Sequence, residues 1–361
     1  MELAFIPPAK PVFGAEERAA VDAVIASGMV VQGPQVKAFE DEFSEQVVSG
    51  AHCVAVNSGT SAQHLATLAS ELEPGAEVIV PSFTFAATAN SVALSGATLD
   101  PAAVEAAITP NTRAIEVVHL YGLPANMPAI LEIAQRHGLD VYEDCAQAHD
   151  ASIDGTKVGT FGRWGSFSFY PTKNMSSLEG GMITTRDEGV YHRSRLLRNQ
   201  GMERQYANEL VGLNNRLTDV GAAVGRVQLS KLAGWTKQRQ ENAAFLNEGL
   251  AGVEGVVTPF VPEGYRHVYH QYTIRFEGAS ASERDELQKA LREQWQVGSG
   301  VYYPIPNHRL DSLTKYAPGL ELPVTEKAAR ECLSLPVHPS LSQADLERIV
   351  EAVAAVVKAG A

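Results

Sequence analysis

Apolar and polar positions along this chain follow two rhythms, and between about residue 53 and residue 145 the rhythms take turns. Cys53-Val54-Ala55-Val56 is short and β-prone, and Ser61 to Ala69 is helix-prone. Val78-Ile79-Val80 then reads as a strand, Phe85 to Leu94 as a helix, Ala114 to Val118 as a strand, Met127 to His137 as a helix and Val141 to Glu143 as a strand. Strands that alternate with helices predict an α/β fold with a mostly parallel sheet covered on both faces. Ligands of such sheets collect beyond the carboxyl ends of the strands, where Pro81 and Asp144 fall.

The flanking stretches follow other patterns. Pro7, Pro8 and Pro11 precede a helix expected from near Glu16 to about Val24 and a turn at Gly28, which together read as an arm. Residues 216 to 250 are helix-rich, with Val220, Val224, Val227, Leu229 and Leu232 as apolar points, and read as a connector to a second domain. Beyond it lie strand-like stretches, His270 to Phe276 and Val301-Tyr302-Tyr303, and a final helix. In that helix Leu346, Ile349, Val350, Val353, Val356 and Val357 form one apolar stripe, expected to pack on a small sheet. The pattern divides the chain into a large domain with the arm, residues 1–235, and a smaller C-terminal α/β domain, residues 236–361.

Composition narrows the function classes. With 45% apolar and 20% charged residues, the 361-residue chain is an ordinary globular one. A net charge of -13, with no basic cluster, argues against nucleic acid as a partner. Cys53, Cys145 and Cys332 are too widely spaced for a disulfide framework or a zinc site, so no metal is expected and a reducing, cytoplasmic location is. The N-terminus carries an acid where a signal peptide has positive charge, and no apolar run nears membrane-spanning length.

The most informative stretch runs Gly165-Ser-Phe-Ser-Phe-Tyr-Pro-Thr-Lys173-Asn-Met-Ser-Ser-Leu-Glu-Gly180-Gly181. A desolvated lysine loses its proton more easily, and a neutral amine attacks an aldehyde to form a Schiff base. Taken alone, a lysine beside Gly-Gly is more often a surface turn. Glu143-Asp144-Cys145-Ala146-Gln147 follows an apolar strand and places a carboxylate where it can meet a protonated ring nitrogen, although a strand-terminal Asp equally suits a helix cap or a metal. Asn57-Ser58-Gly59-Thr60-Ser61, between strand and helix, is a phosphate site or an ordinary hydroxyl cap. Phe85 can lie flat on an aromatic ring, but an isolated Phe is more often core.

In this order the motifs resemble those of the DegT-type sugar aminotransferases, fold-type I pyridoxal-phosphate enzymes with an aspartate-aminotransferase-like fold. The resemblance extends through His119-Leu-Tyr-Gly122, Gly212-Leu-Asn214-Asn-Arg216 and Leu335-Pro-Val-His338-Pro, over nearly the whole chain. It implies a large domain with a seven-stranded-type sheet and pyridoxal 5'-phosphate as cofactor. Lys173 would carry the cofactor as a Schiff base and later move a proton, Asp144 would pair with the pyridinium nitrogen, and Gln147 would sit near the ring's phenolic oxygen. Thr60, Ser61 and Ser168 would hold the phosphate and Phe85 would stack on the ring. Asn214 would reach the neighbouring subunit's cofactor, which implies a homodimer with shared sites, and Arg216, His308 and His338 would lie toward the substrate. The implied reaction takes an amino group from glutamate or glutamine to a nucleotide-linked keto-sugar. A keto-inositol acceptor and a silent cofactor-binding sensor or scaffold are the alternatives; a sugar dehydratase of this fold usually lacks the lysine, and a nicotinamide enzyme would need a Gly-x-Gly-x-x-Gly after an early strand.

The chain departs from that pattern in four places. Roughly a dozen residues, a strand and an acidic turn, are absent between Thr98 and Leu99, so a missing segment or a sheet short of one strand is expected. Asp150 and Leu178 stand where the family has Gly, and Arg163 where an acid is common. Asp150 is expected to alter its turn, because Gly reaches backbone angles that Asp reaches less readily.

Overall fold

The strand-helix alternation folds into a seven-stranded sheet in a computed structural model that describes residues 3–95, 98–100 and 104–360. In chain order the strands are β1 (His52–Val56), β2 (Glu77–Ile79), β3 (Thr98–Asp100), β4 (Thr112–Val118), β5 (Asp140–Asp144), β6 (Trp164–Ser168) and β7 (Gly181–Thr185). Their order across the sheet is β1-β7-β6-β5-β4-β2-β3. Pairing is parallel from β6 to β3, and β7 runs antiparallel to both its neighbours.

Period-two alternation sorts the core to two sides of the sheet. On β1, Cys53 and Ala55 join a cluster with Phe39, Phe43, Phe167 and Phe169, whereas Val54 and Val56 join one with Leu65, Ala89 and Trp164. The first side is covered by α2 (Pro34–Gln46) and the start of α7 (Asp219–Leu250), and the second by α3 (Gly59–Ala69), α4 (Ala86–Leu94) and α6 (Glu188–Arg198). Phe39 and Phe43 on α2 are fully buried, and each contributes about 1.5–3 kcal/mol by leaving water. Helices α1 (Ala15–Ser27) and α5 (Met127–His137) complete this part of the chain, and Gly28 ends α1 in the left-handed conformation at φ 73°.

The sheet is not short of a strand. Thr98–Asp100 continues across the suspected break and pairs in parallel with Glu77–Ile79 as an edge strand, while residues 96–97 and 101–103 on either side lie outside the described residues. At the two glycine substitutions the turn is kept rather than altered: Asp150 takes φ 70° and Leu178 φ 72°. Ion pairs to Lys157 and Arg266 hold Asp150 in place. Arg163 spans Asp140 at 2.8 Å and Asp187 at 3.0 Å, so a cation here joins the start of β5 to the cap of α6.

Helix α2 was not evident in the sequence. Its cap, Gly33, has no side chain, and Asp219 supplies the missing acceptor from far along the chain, taking the amides of Gly33 (2.8 Å), Val36 (3.0 Å) and Gln35 (3.2 Å). The expected strand at 301–303 does not form; Tyr303 turns the chain at φ 59°.

Helix α7 runs unbroken for 32 residues through the expected division at 235. Its Leu229 and Leu232 pack in the large core, and its Ala243, Leu246 and Leu250 pack in a second one. That second core holds the antiparallel strands β8 (Val256–Val257), β9 (Tyr272–Phe276) and β10 (Cys332–Leu335), with α8 (Ala281–Trp295) and α10 (Gln343–Gly360); α9 (Pro323–Glu331) leads into β10. The stripe on α10 is buried there, and so is Ile6, through which the N-terminal arm packs against the C-terminal part of the chain.

Candidate active site

Four parts of the fold converge beyond the carboxyl ends of the central strands. Strand β5 ends on two adjacent carboxylates, and alternation sends them to opposite faces. Glu143 turns to the side where the amides of Gly159, Phe161 and Gly162 and the ring of His119 donate to it, the amides at 2.8 Å and His119 Nε2 at 3.0 Å. His119 Nδ1 accepts from the Ala125 amide at 3.0 Å, so its Nε2 carries the proton. Cys145 lies close to this pair, but the carboxylate is already saturated, and the trio pins loops rather than a metal.

Asp144 faces the other way and is 5% exposed. Its Oδ1 accepts from the Ala146 amide and its Oδ2 from the hydroxyl of Thr88, both at 2.9 Å. Thr88 lies in the first turn of α4, so the same helix that braces Asp144 begins next to Phe85, whose ring is 62% exposed.

Lys173 follows β6 in a turn closed by its own amide on the Tyr170 carbonyl. Burial pulls its ammonium below the ordinary lysine range, and the negative charge of Asp144 offsets part of that pull. The next residue, Asn174, donates to the Val268 carbonyl at 3.0 Å and accepts from His270 Nδ1 at 3.2 Å, which anchors the turn to the chain leading into β9.

The fourth part is the start of α3. Ser58 caps it, accepting from the Ser61 amide at 3.1 Å, so Thr60 and Ser61 stand at a helix N-terminus, where amides and the helix dipole favour an anion. Ser168 packs against Gly59, where a Cβ would come within 2.7 Å of the serine Cβ. A Cβ on Gly181 would lie 2.3 Å from the Ser58 carbonyl oxygen, so this glycine is what lets β7 approach the cup formed by the start of α3.

A model of the DegT/DnrJ/EryC1/StrS aminotransferase family matches residues 11–354. The chain belongs to that family. This aminotransferase is 41% identical to UDP-N-acetyl-3-dehydro-alpha-D-glucosamine 3-aminotransferase of Acidithiobacillus ferrooxidans, over 90% of its own length and 89% of the relative's. It is also 41% identical to a protein of Geobacillus stearothermophilus named Pleiotropic regulatory protein, with 92% of each chain covered. Among solved structures it resembles S. venezuelae DesV in complex with a ketimine intermediate, with a TM-score of 0.91 at 38% identity, covering 98% of this chain and 99% of that one.

The aminotransferase is thus a pyridoxal-phosphate enzyme, and its residues fit the cofactor: a buried carboxylate for the ring nitrogen, a desolvated lysine, an amide-rich helix start and an aromatic ring that the described chain leaves bare. The remaining expected residues make contacts within the chain. Gln147 accepts from the Tyr121 amide and donates to the Tyr303 hydroxyl, both at 2.6 Å, and so ties together two tyrosines whose rings lie 6.5 Å apart and nearly parallel. Asn214 is exposed, bridged through its backbone to Asn199, and Arg216 donates to the Asn199 side chain at 2.8 Å. His308, expected toward the substrate, has both ring nitrogens engaged within the chain, Nδ1 with Ser82 at 2.6 Å and Nε2 with Glu326 at 3.1 Å. His338 donates from Nε2 to the Pro7 carbonyl at 3.2 Å and lies beside a cavity near Thr172.

Thr88 and Gly181 are the site residues the sequence reading missed. Thr88 stands three residues after Phe85, at the spacing of one helix turn; nothing short of the helix itself marks it as the partner of Asp144. Among the described residues no helix is long and apolar enough to cross a membrane.

Proposed function

We propose that this aminotransferase moves an amino group from glutamate or glutamine to a nucleotide-linked keto-sugar. The observation that carries the reading is the half-buried, desolvated Lys173 amine facing Asp144 beside the capped start of α3. Bound there, pyridoxal phosphate supplies the carbonyl carbon that takes up an amine and the ring that draws electrons from the bonds around it. Thr60, Ser61 and Ser168 would hold its phosphate, Phe85 would cover a ring face, and Asp144, oriented by Thr88 and Ala146, would meet the ring nitrogen. Lys173, displaced by the incoming amine, would take the proton from the donor's α-carbon and give it back, because burial favours the unprotonated amine that can accept it.

The acceptor class rests on relatives whose names describe UDP-, dTDP- and GDP-linked amino-sugar chemistry at 39–41% identity. A homodimer with shared sites is part of the proposal. Asn214 is exposed beside the exposed apolar Val211 and Leu213, and Phe85, Tyr170 and Leu178 elsewhere in the chain are exposed apolar side chains too. The proposed setting is the cytoplasm, with no nucleic acid or membrane as partner.

The test is the absorption spectrum of the protein with pyridoxal phosphate, beside Lys173→Ala. A lysine-dependent band that glutamate or glutamine bleaches establishes donor use, after which nucleotide-linked keto-sugars and a keto-inositol are compared as acceptors. A cofactor spectrum indifferent to Lys173 would return the protein to the silent-scaffold reading, and keto-inositol as the better acceptor would replace the sugar.

A further inference from the structure

Tyr303 reaches the large sheet from the C-terminal part of the chain. Three residues before it, Gly300 bridges to Ser334 on β10, and Tyr303 itself turns left-handed at φ 59°. Its ring lies among the loops that follow three parallel strands. It stands edge-on to Phe83 after β2 (5.8 Å, 84°), nearly parallel to Tyr121 after β4 (6.5 Å, 12°), and within hydrogen-bond reach of Gln147 after β5. Ligands of a parallel sheet collect at that edge. Tyr121 is left-handed too, also at φ 59°; residues other than glycine held in that region store strain, and such strain gathers at ligand sites.

The hydrogen bonds of Gln147 fix which way each proton points. The Tyr121 amide can only donate, so the Gln147 atom it meets at 2.6 Å is the acceptor oxygen, Oε1. The other amide atom, Nε2, can only donate, and the Tyr303 hydroxyl oxygen 2.6 Å away accepts from it. The phenol's own proton therefore points away from Gln147, and among the described residues no acceptor takes it. Burial, with the charge of Asp144 adding to it, raises the phenol above its ordinary range, so the hydroxyl keeps that proton. A half-buried donor whose hydrogen is unspent, at the edge of the sheet where ligands collect, is matched to an oxygen of what binds there.

We propose that the Tyr303 hydroxyl donates to the phenolic oxygen of the bound cofactor, which adds to the site a residue from the C-terminal part of the chain. The inference rests on the aminotransferase reading above and deepens it. On the cofactor ring the phenolic oxygen lies between the nitrogen assigned to Asp144 and the carbon assigned to Lys173, on the flank opposite the phosphate arm. It is the acceptor that suits a donor under the influence of Asp144 and apart from the start of α3.

The test is Tyr303→Phe in the holoenzyme, which keeps the ring against Phe83 and Tyr121 and removes the hydroxyl alone. The readout is the pH midpoint of the Lys173-dependent absorption band, taken without substrate. The phenolic oxygen and the lysine nitrogen share one proton; when it leaves, the Tyr303 hydroxyl satisfies the oxygen, so the hydroxyl favours its loss. Tyr303→Phe should therefore raise the midpoint by about one unit, a roughly tenfold change in proton affinity and the size expected for one hydrogen bond to a charged oxygen. The titratable groups around Lys173 are Asp144, His149 and His270, and those around Tyr303 are Asp144, Tyr121 and Tyr302; all are common to both proteins. The same substitution made in Gln147→Met should still raise the midpoint, because the proton at issue does not pass through Gln147. A midpoint that does not rise, or that rises only while Gln147 is present, overturns the assignment, and the second result would make Tyr303 a prop for Gln147. A wild-type protein with no Lys173-dependent band fails the aminotransferase reading instead, so the two failures are told apart.

Discussion

Replacing Glu116 by leucine should make this protein more stable, and more so as the pH rises. Glu116 lies on β4 two residues before Val118, which pairs with Asp144, so strand alternation puts Glu116 and Asp144 on one face of the sheet. It is 1% exposed, and among the described residues neither carboxyl oxygen has a hydrogen-bond partner. Burial, reinforced by the charge of Asp144, pushes its carboxyl well above the usual carboxylate range. An unpartnered buried polar group costs about 1–3 kcal/mol. In addition, the unfolded chain releases this proton above pH 4.5 while the folded chain keeps it. Stability is therefore fully present below pH 4.5 and is lost as the pH climbs toward the folded value, by about 1.4 kcal/mol per unit. Glu116→Leu removes both costs, and Glu116→Gln removes only the second. Urea unfolding at about pH 5.5 and about pH 7.5 separates them: leucine should gain at both and more at the higher pH, glutamine chiefly from the pH-dependent part. A leucine variant that loses stability at both, or gains equally, refutes the reasoning.

Three further outcomes follow from groups around the site. His149 is fully buried, with neither ring nitrogen partnered among the described residues, and burial pulls it from 6.5 down to about 3. Its contribution is complete above pH 6.5 and declines as the pH falls toward 3, so His149→Leu should reduce by about one the protons taken up on unfolding near about pH 5, read from the slope of unfolding free energy against pH; an unchanged slope counts against it. Gly181→Ala would set a Cβ 2.3 Å from the Ser58 carbonyl oxygen and 2.8 Å from the Gly59 amide, and should weaken pyridoxal-phosphate binding at least about tenfold with the circular dichroism spectrum kept. Wild-type affinity in that variant would mean the cup does not need this close approach. Asp219→Ala strips the acceptor from the amides of Gly33, Gln35 and Val36 and should cost about 1–3 kcal/mol by thermal melt, whereas a change within about 0.5 kcal/mol contradicts that capping role.

What could be read in the sequence was what local pattern and local chemistry control. Met127–His137 is the helix the apolar spacing predicts, with Asn126 as its cap and Gly138 at its left-handed end. The strands β1, β4 and β5 lie within a residue or two of where β-prone runs place them. Features fixed by distant partners were not legible. Helix α2 depends for its cap on Asp219, more than 180 residues away. Val301-Tyr302-Tyr303 has strand composition, yet Tyr303 takes a left-handed turn and donates nothing to a ladder; its hydroxyl accepts from Gln147 instead. The same limit applied to the histidines. His308 stands in a family-like position, and only the fold reveals that Ser82 and Glu326 occupy both its ring nitrogens.

The two acids that end β5 show how the fold separates roles that sequence leaves equal. Glu143 and Asp144 are neighbours of the same chemistry on the same buried strand, and either suits a ring nitrogen by composition alone. Alternation puts Glu143 under loop 159–162, where three amides and His119 use up its lone pairs, so it has little left to offer a ligand. Among the described residues Asp144 receives the Ala146 amide and the Thr88 hydroxyl, enough to fix its orientation and leave acceptor capacity toward the site. The cation that faces it is Lys173, in a protein whose burial favours the free amine there. Glu116, on the same face, would oppose the charge of Asp144 if it ionised; by keeping its proton it spares the site a second anion, at a cost in stability that the leucine variant measures.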